Sequence, residues 1–385
     1  MNSWLVDISL LDICLLSVLG AAFLFQLYFY CRYILSVPIH EHMRQKHLSA
    51  QKDEDLPGVS ILVCAHNEQV NISSYLHTLL GQDYPRFEVI VVNDSSEDRT
   101  QAVLDAYAQS DPRLHLTFIP KDARVGSNKK LGLTLAAKAA QYELLLLTDA
   151  DCRPMSRQWI RSMVSGLQPD KDIVLGYGGY FVAHGPLNGM IRLDTLFNGL
   201  HYMGAAITSR PYMGVGRNLL YRKEFFFSSG GFTAQMNKRA GDDDLFINHV
   251  ATHRNTAVVA CKSSVTWSPM KKSFREWFMQ KRRHLGVSTD YRTLSKLHLL
   301  SEPLSRGLFY AALILTAIFC PLPWVGVAMA LFAIRLIWQF VLLNTASRML
   351  GQGHITVPMM VWDILLPLLT LYIMLTNKLY KTNRW

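Results

Sequence analysis

The sequence contains no Cys-x-x-Cys pair. Its six cysteines, Cys14, Cys31, Cys64, Cys152, Cys261 and Cys320, are scattered along the chain. That scatter excludes a zinc ribbon or a disulfide framework and fits free thiols in a reducing compartment. The sequence also lacks a G-x-G-x-x-G or G-x-x-x-x-G-K-[ST] loop. A dinucleotide fold or a P-loop would therefore be without its glycine cradle. Acidic residues are in the minority, 29 against 39 Lys and Arg, for a net charge of +10. This balance favours an anionic partner, either a phosphorylated small molecule or an acidic lipid surface. Nucleic acid fits less well, because the basic residues are spread out rather than clustered.

What the chain has in abundance is hydrophobic residues, 50% of the total in 385 residues. One α/β domain cannot absorb them all, and several long runs read as membrane segments. From Leu10 to Cys31 only Asp12, Ser17 and Gln26 interrupt an apolar stretch of membrane-crossing length. Acidic Asp7 and Asp12 stand where a signal peptide would carry positive charge, so an uncleaved anchor is expected. Arg32, Arg44, Lys46 and Lys52 follow it and mark the cytosolic side. Two further spans are expected between Leu308 and Leu343, turning at Cys320-Pro-Leu-Pro-Trp324, and a last one from Ile355 to Leu375. Four crossings would leave Lys378, Lys381 and Arg384 outside, against the positive-inside tendency, so one C-terminal segment is re-entrant or interfacial, or the tail is an exception. Arg335, inside an apolar span, must snorkel, pair or line a polar cavity.

Between the spans, short apolar runs alternate with amphipathic stretches. Strands are expected at Val59–Cys64, Glu88–Asn93, Leu114–Ile119 and Glu143–Thr148, with helices at Val70–Leu80, Thr100–Gln109 and Lys129–Ala140. Four alternations predict a mainly parallel sheet, whose ligands bind beyond the carboxyl ends of its strands. Polar clusters follow three of those ends: Ala65-His-Asn-Glu68, Asn93-Asp-Ser-Ser-Glu-Asp98 and Asp149-Ala-Asp151. Carboxylates do not hold phosphates directly, but a hard divalent cation such as Mg2+ or Mn2+ joins the two. Asp149 and Asp151 are the natural pair for it.

The segments Val59-Ser-Ile-Leu-Val-Cys-Ala-His-Asn-Glu68, Asn93-Asp-Ser-Ser96, Gly126-Ser-Asn-Lys-Lys130 and Leu147-Thr-Asp-Ala-Asp-Cys152 occur in a telling order. Downstream come Gly241-Asp-Asp243 and Gln280-Lys-Arg-Arg283. Over roughly residues 57–290 this order resembles membrane-bound inverting glycosyltransferases of family 2, a group related to cellulose and hyaluronan synthases and to ceramide glucosyltransferases. The resemblance implies an α/β GT-A domain with a mainly parallel sheet, plus α-helical transmembrane segments. The expected layout is an anchor (1–35), a cytosolic basic linker (36–56), the catalytic domain (57–268) and an amphipathic interfacial segment (269–303). About three transmembrane helices (304–376) and a basic tail (377–385) complete it. A multi-pass protein with a cytosolic catalytic domain, as in a bacterial inner membrane, is expected.

The same resemblance implies roles. Asp151, with Asp149, holds the metal. Glu68, Asp94, Asp149, Lys129, Lys130, Gln280 and Arg283 bind the nucleotide diphosphate sugar. Asp243, with Asp242 beside it, is the general base that takes the acceptor hydroxyl proton. The acceptor is a lipid-linked or glycan molecule at the membrane, and the product belongs to cell-envelope glycan or glycolipid synthesis. His284 replaces the family's tryptophan, which puts processive polymer synthesis in doubt. A processive polysaccharide synthase is the nearest alternative. A nucleotide-binding transport component is the alternative from another class, disfavoured because only Arg335 and Asp363 are charged within the C-terminal spans.

Overall fold

The structure is a computed structural model that describes residues 9–48, 53–120, 127–238, 241 and 243–379. Continuous Val, Ile and Leu runs form β1 (Val59–Ala65), β2 (Phe87–Asp94) and β4 (Leu144–Leu147), buried on both faces. β3 (Leu114–Ile119), an edge strand, is buried only at its two ends, Leu114 and Ile119. These four strands are parallel, and the sheet continues through β8 (Leu219–Arg222), β6 (Ile173–Leu175) and β9 (Thr256–Val258) in the order β3-β2-β1-β4-β8-β6-β9. β8 runs antiparallel to both neighbours. A second sheet orders β5 (Arg153–Pro154), β10 (Thr266–Ser268) and β7 (Gly178–Tyr180).

The helices are α1 (Leu10–Phe29), α2 (Ser36–Lys46), α3 (Gln69–Leu80), α4 (Thr100–Ser110), α5 (Asn128–Ala139), α6 (Trp159–Val164) and α7 (Pro186–Thr208). After them come α8 (Lys223–Ser228), α9 (Asp244–Val250), α10 (Phe274–Val287), α11 (Thr293–Phe319), α12 (Leu322–Met349) and α13 (Thr356–Leu379). The expected strands and helices of the first half are present, each end within about two residues. A π-helical turn, Tyr30–Ile34, joins α1 to α2, so one helix runs from Leu10 to Lys46. The basic linker expected at 36–56 is corrected here: its first part is helical and docked. Glu41, almost fully buried, accepts from Ala260 N–H at 3.0 Å and pairs with Arg44 at 2.7 Å.

Among the described residues three helices are long and apolar enough to cross a membrane: Leu10–Lys46, Thr293–Phe319 and Leu322–Met349. The turn expected at residues 320–324 is present, with Pro321 capping α12. α13 has a shorter apolar stretch, Val361–Thr376, and packs chiefly on α7 and α10. Its Trp362, Leu366 and Leu369 meet Trp277 and Met190. Asp363 ties α13 to the bundle through Arg335 Nη1 (2.7 Å), Gln339 Nε2 (2.6 Å) and Arg306 Nη1 (3.2 Å). Arg335 is thus paired inside the bundle rather than snorkelling. Of the basic tail, residues 380–385 lie outside the described residues.

α7 carries the N-terminal helix against the catalytic domain, and Gly204 makes their close approach possible. A Cβ there would sit 1.8 Å from the Tyr33 carbonyl oxygen. Gly204→Ala is therefore expected to cost about 1–3 kcal/mol of stability by overpacking, read as a lower unfolding temperature in detergent. An unchanged midpoint would mean that the helix pair is free to separate.

Candidate active site

The carboxyl ends of β1, β2 and β4 deliver the polar residues. After β1, Asn67 has φ 55°, and after β2, Ser95 has φ 49°, both in the left-handed region that non-glycine residues seldom adopt. The two turns lock together: Ser96 Oγ accepts from Asn67 N–H at 3.0 Å, and Asn67 Oδ1 accepts from Glu97 N–H at 2.8 Å. Such strain, held by reciprocal bonds at strand ends, is a mark of a functional edge. Neither Glu68 nor Asp94 caps the following helix with its side chain. The first turn of α4 is instead held by Asp98, whose Oδ1 accepts from Thr100 N–H at 2.9 Å. Asp94 Oδ1 accepts from Asn128 Nδ2 at 2.8 Å, beside Lys129.

After β4 the chain turns tightly, with Cys152 N–H donating to the Asp149 carbonyl at 3.0 Å. The turn buries Ala150 and brings the Asp149, Asp151 and Cys152 ligand atoms within 4.8 Å of one another. Burial first, and then the Asp149 and Asp151 charges, push the Cys152 thiol well above its ordinary pKa. Its Sγ lies 3.4 Å from Asp151 Oδ1, and the two carboxylates beside it are the oxygen donors for a cation. Burial, followed by the charge of Asp149, raises the Asp151 pKa, while Arg217 and Lys271 partly oppose the rise. Glu68 is also raised, by burial and then by Asp151 and Asp149 against an opposing bond from Asn71, so it feels the same pair. Lys129 Nζ bonds Asp149 Oδ1 at 2.9 Å, a cation already resting on the pair. Hard oxygen donors that repel one another suit a divalent ion.

These carboxylates open onto a cavity of about 280 Å³ whose lining also includes Asp243, Asp244, Lys129, Lys271, Gln280, Arg283 and His284. Asp243 starts α9 and is fixed by two backbone donors, Asp244 N–H at 2.9 Å and Gly216 N–H. Gln280 reaches Tyr180 Oη at 3.2 Å. Asp94 and Glu68 stand outside this lining, Asp94 joined to it through Asn128 and Lys129. Asp242 lies outside the described residues, as does Gly126. Lys130 departs from the donor-binding expectation: fully buried, its ammonium donates to the Gln235 carbonyl at 3.0 Å and to that of Lys238. These two contacts anchor the loop that holds Gln235 and Lys238.

Three residues were not singled out from sequence. Arg217 sits behind the acidic pair, donating to the Gly178 and Gly179 carbonyls at 2.9 and 3.1 Å and stacking on Tyr180 at 4.6 Å. Burial alone would lower its pKa, but Tyr180, Cys152, Asp149 and Asp151 hold it above the ordinary value. The other two are Lys271 and Asn128. Neither Arg217 nor Lys271 lies in one of the segments quoted above for the resemblance.

A stability consequence follows from Asp151. Its folded pKa lies above the ordinary 3.8, so its contribution is fully present below 3.8 and is lost as pH rises through the raised value. At neutral pH the ionised pair is a cost that a cation relieves. Asp151→Asn is therefore expected to raise the unfolding temperature of the metal-free protein at pH 7 and to abolish the gain in that temperature on adding Mn2+. A lower midpoint in the variant would contradict this.

A family model described as glycosyl transferase family 21 matches residues 25–385. The probable glycosyltransferase YdaM of Bacillus subtilis (strain 168) is 24% identical over 240 residues, 60% of this chain and 55% of that protein. The beta-monoglucosyldiacylglycerol synthase of Trichormus variabilis is 30% identical over 115 residues, 29% of this chain and 24% of its own. The chain thus spans about half, or less, of these relatives' length. Mannosyltransferase PcManGT from Pyrobaculum calidifontis, solved with GDP-Man and Mn2+, superposes with a TM-score of 0.55 at 20% identity, covering 92% of this chain and 99% of that one. That likeness is one of fold, a mostly parallel GT-A sheet. With motifs like those of family 2 and a family match over residues 25–385, the chain belongs to glycosyl transferase family 21.

Proposed function

We propose that this enzyme transfers a sugar, with inversion, from a nucleotide diphosphate donor to a hydroxyl of a lipid-linked or glycan acceptor at the membrane, in envelope glycan or glycolipid synthesis. The observation that carries the reading is the single cavity onto which Asp149, Asp151 and Asp243 open together with the cations Lys129, Lys271 and Arg283. The donor set fits Mg2+ or Mn2+ at Asp149 and Asp151, and PcManGT was solved with Mn2+. When bound, such an ion supplies positive charge to the departing diphosphate.

The residues divide the rest of the work. Asp94 and Glu68 lie at the strand ends where the nucleoside would sit, and Lys129 exchanges Asp149 for diphosphate oxygen when the donor arrives. Arg283 and Lys271 face the same space, and Arg283 is able to bind diphosphate oxygens in bidentate fashion. The acceptor oxygen attacks the anomeric carbon from the side opposite the diphosphate. As the new C–O bond forms, the bond to the phosphate oxygen breaks and its electron pair leaves with the nucleoside diphosphate. Asp243 takes the acceptor proton. The Gly216 and Asp244 N–H donors hold its carboxylate in place before the reaction. Single transfer, rather than processive extension, is favoured because His284 occupies the tryptophan position beside this cavity.

A lipid acceptor is favoured by the surroundings. The catalytic cavity shares Tyr180, Arg217, Gln280 and His284 with an inner chamber of about 190 Å³. That chamber in turn meets an apolar cavity of about 330 Å³ among α7 and α10–α13. The larger cavity is of a size that suits small-molecule binding.

The test is release of nucleoside diphosphate from a panel of nucleotide sugars, with membranes that retain native lipids. Release should need both Mg2+ or Mn2+ and lipid, and should stop with a chelator. Asp151→Ala should be folded but inactive. Asp243→Asn should lower kcat by about a thousandfold while the donor KM stays within a few-fold. An Asp243→Asn enzyme that keeps most of its activity would transfer the base role elsewhere.

A further inference from the structure

The inner chamber and the membrane-side cavity meet at a waist formed by the residues that line both: Asp194, Asn198, Lys281, Leu285, Ser288 and Leu299. Asp194 and Lys281 are the charged members of that set. Lys281 Nζ bonds Asp194 Oδ1 at 2.6 Å and Oδ2 at 2.7 Å, and the two side chains are only 14% and 15% exposed. A desolvated pair on the boundary between two largely apolar cavities is costly unless it is well matched. Nearby, Trp277 of α10 shares a buried apolar cluster with Met190 and Ile191 of α7.

The register of α10 explains the placement. Gln280, Arg283, His284 and Val287 face the catalytic cavity, while Lys281 and Leu285, each one residue further round the helix, face the waist. An acceptor with its hydrocarbon in the membrane-side cavity and its hydroxyl at Asp243 must therefore lay its head group across the pair. Two of the ammonium's three hydrogens face Asp194, which leaves one donor; Asp194 Oδ1 also accepts from Asn198 Nδ2 at 3.0 Å, so the spare acceptor capacity is on Oδ2.

We propose that the Asp194–Lys281 pair is a positioning and specificity collar, which recognises the polar head of a hydroxylated lipid acceptor by offering it a donor and an acceptor together. The proposal rests on the lipid-acceptor reading above. It selects lipids whose heads both give and take hydrogen bonds over lipids that can do only one of the two.

The test uses the full chain in phosphatidylcholine vesicles doped with rising mole fractions of a total polar-lipid extract from the source membrane, with the nucleotide sugar found in the donor panel. Lys281→Met and Asp194→Asn should each raise the half-saturating mole fraction of extract at least tenfold while the donor KM stays within twofold. The exchange Asp194→Lys with Lys281→Asp should restore acceptor half-saturation to within threefold of the parent, and it carries the test if the single variants fail to fold. An unchanged acceptor dependence overturns the collar. So does a parallel rise in donor KM with a fall in unfolding temperature, which would mark a merely structural ion pair. If the parent protein transfers sugar to no lipid in the extract but does so to a soluble glycan, the lipid-acceptor reading fails and the collar falls with it.

Discussion

The active-site region is organised around a repulsion. Asp149 and Asp151 are brought together by a four-residue turn at the end of β4, and burial of Asp151 deprives its charge of water. A sheet could end in that way at no cost with neutral residues. Keeping two carboxylates there makes sense only if a cation joins them, and the neighbouring groups are arranged accordingly. Lys129 leans on Asp149, Arg217 stands behind the pair, and Lys271 and Arg283 line the same cavity. The buried Cys152 thiol fills the remaining corner, its Sγ against Asp151 and Ser268.

The parallel half of the sheet was legible because its strands are long apolar runs, buried on both faces, and separated by amphipathic helices. β5 to β10 were not, since two to four residues are too few to establish a period of two. Helix α2 was hidden by Arg32, which reads as the end of a membrane span; in the fold its guanidinium donates to the Thr208 carbonyl at the C-terminus of α7, and the helix continues past it. α7 itself gave no clear period because most of its surface is buried.

The site shows the same division. Residues at strand ends, such as Asp149 and Asp151, declare themselves by position. Adjacent lysines do not: a turn of about 100° per residue sends Lys129 to the acidic pair and Lys130 into the protein, a distinction that spacing alone cannot draw. Arg335 likewise depended on a partner 28 residues away, Asp363. Arg217 was missed because its function comes from burial beneath the pair rather than from a motif of its own.

Membrane helices and catalytic domain are one structure rather than two joined by a tether. α13 lies on α7 and α10, and neighbouring cavities from the acidic pair to the helices share lining residues. The most direct test of the central claim is the site of Mn2+ binding, measured by paramagnetic resonance of the full chain with nucleoside diphosphate present. One bound ion, lost in Asp151→Asn and with its signal altered by the diphosphate, is the predicted result. An ion bound equally well by the variant, or nucleotide affinity indifferent to Mn2+, would contradict the account.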